Sequence, residues 1–138
     1  PNLTEASILT RIPYEGQDVS DAYVTRMMDA LLDRGAKVVV IKGVARNDGL
    51  IRNFVAGQDV DLDETSGERL PFLLHGTGDL FASGLLAAIM CGRSLRDAVE
   101  FAGALVHDAM VVSREQPHYQ QRGVSFESVL GEVTDLLR

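Results

Sequence analysis

The sequence holds one cysteine, Cys91, in 138 residues, so no internal disulfide framework can form. That usage suits a reducing cytoplasm, and Cys91 itself, inside an apolar stretch, is expected in the core. Long hydrophobic runs are missing too: none approaches the roughly 18–20 residues that a membrane span requires, and no signal peptide opens the chain. Positive charge is in deficit, with 13 Lys and Arg against 20 Asp and Glu and a net charge of −7. This balance argues against nucleic acid or an anionic membrane surface as the main partner. A small anionic substrate stays open, because a local ring of N–H groups outweighs a distant net charge. Repeats and low-complexity tracts are lacking. So is an initiator Met: the chain begins Pro1-Asn2 and enters a helix-like pattern at once. It is therefore expected to be a fragment of a longer protein.

What is present reads as an ordinary globular domain, 46% hydrophobic and 24% charged, and long enough to bury roughly two-thirds of its unfolded surface. Residues 3–12 place Ala6, Leu9 and Ile12 at helical spacing, with Asn2 or Thr4 as cap. A second helix is predicted from Ser20 to Arg34, with Val24, Met27, Met28, Leu31 and Leu32 inward and Gly35 ending it. Val38-Val39-Val40-Ile41 runs without alternation, which predicts a strand buried on both faces between parallel neighbours. The chain does not supply those neighbours, so they are expected upstream of Pro1. Residues 50–57 and 60–66, joined around Gln58-Asp59, predict an antiparallel hairpin at the sheet edge. Helices are predicted over 79–91, 95–113 and 125–137, with a loop over 115–123. In the middle one Leu95, Val99, Ala102, Val106 and Ala109 form the apolar stripe.

His75-Gly76-Thr77-Gly78-Asp79 sits directly before the apolar run Leu80, Phe81, Leu85, Leu86, Ile89 and Met90. Two readings compete for Asp79. An Asp at a helix start can cap the first backbone N–H groups, which lack partners. Alternatively, Gly76 and Gly78 bare the backbone so that a phosphate approaches those N–H groups, and Asp79 serves as a base. The run behind the turn predicts a helix buried all round, held rigidly enough to fix the turn at its mouth.

Asn2-Leu3-Thr4-Glu5, the strand ending Val40-Ile41-Lys42-Gly43, and Gly76-Thr77-Gly78-Asp79-Leu80-Phe81, in this order, resemble the ribokinase-like small-molecule kinases, and most of all the pyridoxal kinase branch. The likeness covers essentially the whole chain but matches only the C-terminal half of such an enzyme. It implies an α/β fold: part of a three-layer α/β/α sandwich with a buried strand, an edge hairpin and flanking helices. It also implies ATP- and Mg²⁺-dependent phosphorylation of the 5′-hydroxymethyl group of pyridoxal, pyridoxine or pyridoxamine by a cytoplasmic homodimer. By the same resemblance Asp79 is the general base, and Gly76, Thr77 and Gly78 form the anion hole. Asn2 and Glu5 organise Mg²⁺ and phosphate, Glu5 through water, while Lys42 and Gly43 approach the nucleotide phosphates. Residues 1–138 then form the nucleotide-binding part of one kinase domain, without the half that supplies the vitamer pocket.

Two rivals are weighed. Hydroxymethylpyrimidine kinases share the strand and the Gly-Thr-Gly turn but commonly carry Cys where this chain has Asp79; sugar kinases keep the Asp but usually show Ala in place of Thr77. A non-catalytic ATP-binding fragment is the alternative of another class. Glu5 also reads as a first-turn acid, and Lys42 as a simple strand-end lysine. His75, just before the turn, is expected to be structural, with contact to ATP as the alternative; His107 is expected to be structural, and His118 lies in a polar loop. The three His and one Cys have no zinc-like spacing.

Overall fold

The computed structural model describes residues 1–136 and 138. They divide into two compact units, Pro1–Arg69 and Leu70–Arg138.

In the first unit, α1 (Leu3–Thr10) begins with a capping box between Asn2 and Glu5. It buries Leu3, Ala6 and Thr10, whereas Leu9, expected inward, is exposed. The helix ends before Ile12 because Thr10 and Arg11 turn the chain. The Thr10 hydroxyl donates to the Ala6 carbonyl at 2.7 Å and accepts the Ile12 N–H at 3.2 Å, and Arg11 takes a left-handed conformation with φ of 62°. Helix α2 (Asp21–Leu32) starts at Ser20, whose side chain accepts the Tyr23 N–H, and the chain leaves it through Gly35 at φ of 100°. Its expected inner face is as found: Val24, Met27 and Met28 are buried, with Leu31 and Leu32 packed at the margin.

The sheet has the order β1 (Val38–Ala45), β2 (Leu50–Gly57), β3 (Val60–Glu68), antiparallel throughout. The hairpin lies where the sequence places it, with β3 at an edge. The parallel neighbours expected upstream of Pro1 lie outside this chain, but for β1 itself the burial differs from the expectation. Its partner in the sheet is antiparallel, and its side chains alternate: Val39 and Ile41 join the core under α1 and α2, while Val38 is 42% exposed. The strand hidden on both faces is the central one, β2, where Asn53, Phe54, Val55 and Ala56 are all buried. A run of β-branched residues fits a half-covered strand as well as a sandwiched one, which is why the run alone misleads.

In the second unit, α3 (Thr77–Met90) starts two residues earlier than predicted, with Gly76 as N-cap at φ of 87°. It is not buried all round. Leu80, Phe81, Gly84 and Ala88 form one hidden stripe, and Leu86, Ile89 and Met90 are exposed, the last by 78%. The stripe faces α4 (Leu95–Arg114), which starts at the Ser94 cap. A Cβ built on Gly84 would lie 2.9 Å from Leu105 Cδ2, so the missing side chain is what lets the two helices come together. On α4, Val99, Ala102 and Ala109 of the expected stripe are buried, joined by Ala98, Leu105 and Ser113; Leu95 and Val106 are half-buried. Cys91, expected in the core, is half-buried as the C-cap of α3.

The segment expected as a loop contains a short helix, α5 (Tyr119–Arg122). Tyr119 meets Phe72 edge to face at 5.4 Å between ring centres. The last expected helix is a 3₁₀ turn (Glu127–Val129) followed by α6 (Leu130–Asp135); its expected end at 137 lies outside the described residues. Leu80, Leu105, Ala109 and Val129 form the core of this unit, with Val124 and Val133 against it.

Candidate active site

The α3 start is built to leave backbone donors available. Gly76 has no side chain to cap the helix, and no other side chain does so. The backbone ladder begins with Leu80 N–H on the Gly76 carbonyl at 3.0 Å, so the N–H groups of Thr77, Gly78 and Asp79 precede it. Asp79 therefore occupies the third helical position, not the cap, which removes the capping reading of this residue. Its carboxylate is exposed at the positive end of the helix dipole. The Thr77 hydroxyl donates to the Leu74 carbonyl at 3.2 Å and braces the turn from inside.

Gly76 and Asp79 border a cavity of about 570 Å³, whose walls continue through Ser83, Leu105, Arg122 and Phe126. One wall is a strap, residues 123–126, that the sequence reading treated as loop and helix start. The Val124 N–H donates to the His75 carbonyl at 2.9 Å, which ties the strap to the glycine turn. Gly123 has φ of 78°, and a Cβ there would stand 3.0 Å from the His75 oxygen. A Cβ on Gly76 would in turn stand 3.2 Å from Val124 Cγ1. On the far side, the buried Ser113 hydroxyl accepts the Ser125 N–H at 2.7 Å.

The remaining candidates lie in the first unit. Asn2 Oδ1 accepts the Glu5 N–H at 2.8 Å, and Glu5 Oε2 accepts the Asn2 N–H at 2.9 Å. The Pro1 carbonyl accepts the Lys42 N–H at 2.9 Å, so the start of α1 meets the edge of β1 at Lys42. Lys42 and Gly43 form a β-bulge: Ile41 pairs with Phe54 and Val44 with Arg52, so the two of them answer to Asn53 alone. Gly43 takes φ of 72° there, and its N–H donates to buried Asn53 Oδ1 at 3.0 Å. Asn53 escaped the sequence reading. The Gly in a strand pattern was the available signal.

The histidines are placed differently: His75 lines the cavity with Gly76 and Asp79. His75 contributes its carbonyl to the strap, His107 is half-buried with Nδ1 3.0 Å from Asp108 Oδ1, and His118 precedes α5 with φ of 58°. Among the described residues no group of three or more His, Cys, Asp or Glu is placed to hold a metal ion. Among them, too, no helix is long and apolar enough to cross a membrane.

The antiparallel sheet with its helices, and the glycine turn opening α3, define part of a ribokinase-like kinase fold. The chain matches the phosphomethylpyrimidine kinase family over residues 1–124 and belongs to it. Its solved relatives include both kinds of kinase weighed above. A Bacteroides thetaiotaomicron protein assigned as a phosphomethylpyrimidine kinase is 27% identical, with a TM-score of 0.88 over 97% of this chain and 46% of its own. Pyridoxal kinase from Lactobacillus plantarum is 26% identical, with a TM-score of 0.80 over 99% of this chain and 48% of its own. Pyridoxal kinase from Staphylococcus aureus is also 26% identical, with a TM-score of 0.69 over 80% of this chain and 40% of its own. The pyridoxal kinase-like character read from the three motifs is thereby borne out. The chain spans about half the length of the first two structures.

Proposed function

We propose that this chain is the nucleotide-binding half of an ATP-dependent kinase that phosphorylates the 5′-hydroxymethyl group of a B6 vitamer. The observation that carries the reading is the α3 start: three uncapped N–H groups beside the exposed carboxylate of Asp79, at the rim of a cavity. The ligands of the relatives support it. The Bacteroides protein was also solved with pyridoxal, and the Staphylococcus enzyme with AMP-PCP and pyridoxal.

In this reading Asp79 accepts the proton of the alcohol as its oxygen attacks the γ-phosphorus. The bond from that phosphorus to the bridging oxygen of the β-phosphate breaks, and ADP leaves with that electron pair. Charge gathers on the transferred oxygens, where the N–H groups of Thr77, Gly78 and Asp79 are preorganised to receive it. Asn2, Lys42 and Gly43 contact the nucleotide phosphates. Glu5 suits Mg²⁺ held through water: one carboxylate oxygen is taken by the Asn2 N–H, and among the described residues no three-ligand cage surrounds it. When bound, Mg²⁺ neutralises phosphate charge. The whole enzyme would be a cytoplasmic homodimer acting on small molecules, with neither nucleic acid nor membrane as partner.

The test is a coupled assay of the full-length protein with ATP and pyridoxal, pyridoxine, hydroxymethylpyrimidine or ribose. Preferred turnover of a B6 vitamer is expected. Preference for the pyrimidine, whose kinases give the family its description, or for the sugar, overturns the vitamer assignment.

A further inference from the structure

Among the described residues of the second unit, Ser113 is the one buried polar side chain, fully closed to solvent. Its hydroxyl makes two bonds of different kinds. It donates at 2.6 Å to the Ala109 carbonyl one helical turn back, a bond that α4 does not need, since Ala at this position is a better helix former than Ser. It also accepts the Ser125 N–H at 2.7 Å, which reaches out of the helix to the strap. The next N–H along the strap, that of Val124, goes to the His75 carbonyl at 2.9 Å, and the Val124 side chain packs against Gly76. Ser125 is held a second time, its hydroxyl donating to Gln116 Oε1 at 3.0 Å. Two consecutive peptide groups thus join α4 to the glycine turn, and the buried end of the join is one hydroxyl.

We infer that Ser113 is a positioning residue for the phosphate-binding turn: by fixing Ser125 it sets the strap, and through Val124 the strap sets the backbone from His75 to Gly78. The inference rests on the reading of that turn as the phosphate site. Small displacements matter there, because donors stabilise a phosphoryl group only from hydrogen-bonding distance. Ser113→Ala leaves the helix intact and takes away the acceptor of a strap N–H.

The experiment compares wild type, Ser113→Ala and Ser113→Thr in the full-length protein. It measures the KM for ATP, the KM for the alcohol, and the dissociation constant of ADP. Ser113→Ala is expected to raise the ATP KM and the ADP constant by roughly 3- to 10-fold, the weight of one hydrogen bond, with the alcohol KM unchanged. A purely structural loss reduces the folded fraction, which lowers kcat and leaves both KM values alone. Thr carries a hydroxyl that can make the same bonds, so Ser113→Thr is expected within about twofold of wild type on the same measure. An ATP KM and ADP constant unchanged in Ser113→Ala, or a Thr variant that behaves like the Ala variant, overturns the inference. A wild type that phosphorylates no B6 vitamer yet binds ADP overturns only the vitamer reading, and the ADP comparison still decides the role of Ser113. A wild type that binds no nucleotide overturns both.

Discussion

Glu5 and Asn2 each accept the other's backbone N–H, at 2.9 and 2.8 Å, and so close a reciprocal cap on α1. The same two side chains are those proposed to organise Mg²⁺ and phosphate. A single substitution can separate the two duties. Gln keeps the oxygen that a capping box needs but not the charge, so Glu5→Gln should leave thermal stability nearly unchanged. Half-saturation of the rate should move to higher Mg²⁺. Rate against Mg²⁺ concentration, beside a melting curve, checks this; an unchanged Mg²⁺ curve assigns Glu5 to the cap alone.

Because Gly76 occupies the N-cap, Asp79→Asn should disturb the fold little, costing a few tenths of a kcal/mol for a lost acid in the first turn. Turnover by the full-length protein should fall by roughly 10²- to 10⁴-fold, the usual weight of a general base. Nucleotide affinity should barely change. Turnover that survives within about threefold would mean that Asp79 takes no proton.

Gly123→Ala tests the strap from its other end. The residue sits at φ of 78°, and its new methyl would lie 3.0 Å from the His75 oxygen. With ψ at −170° this is a conformation that essentially only glycine adopts, so Ala alone should cost about 1–3 kcal/mol, and the crowding should push His75, and with it the turn, away from the strap. Both a lower melting temperature and a raised ATP KM are expected. Gly131→Ala, inside α6 and with nothing within 4 Å of the added carbon, is the control: the ATP KM should not change and the melting temperature should not fall.

The 138-residue chain by itself should phosphorylate no B6 vitamer, though weak nucleotide binding can persist, because the uncapped N–H groups belong to the α3 start alone. It should also self-associate: Leu73, Leu86, Ile89 and Met90 in the second unit, and Val60 and Leu62 on edge strand β3, are all exposed. Sedimentation and a vitamer assay on verified fragment check both. Turnover at the rate of an ordinary small-molecule kinase would show that this half suffices.

Local signals carried well from sequence to structure. Ser20 and Gly35 bracketed α2, and the Gly57-Gln58-Asp59 break placed the hairpin. Where a reading failed, the deciding contact lay far along the chain. Composition made α3 look buried on every side, yet what it hides depends on Leu105 approaching Gly84 across 21 residues. Capping was one of two readings of Asp79, and Gly76 removes it by taking that position left-handed, a conformation any glycine permits but none announces. Ser113 and Val124 had no motif to flag them, and Asn53 only the glycine in the strand opposite it. Each matters through a partner 10 to 49 residues away, a distance over which a single sequence records no pairing.

The bulge at Lys42-Gly43 has a consequence for how β1 tolerates change. Ile41 and Val44 are three residues apart, yet both reach the core. Removing Gly43 would leave Ile41 opposite Phe54 and Val44 opposite Arg52, with Lys42 facing Asn53 in an unbroken ladder. Every pairing and both core contacts would survive, whereas a deletion outside the bulge would turn the remainder of the strand inside out. The sheet thus carries one residue in surplus of its own needs. Buried Asn53 holds the freed Gly43 N–H, so the surplus residue is fastened to the sheet without being part of its ladder.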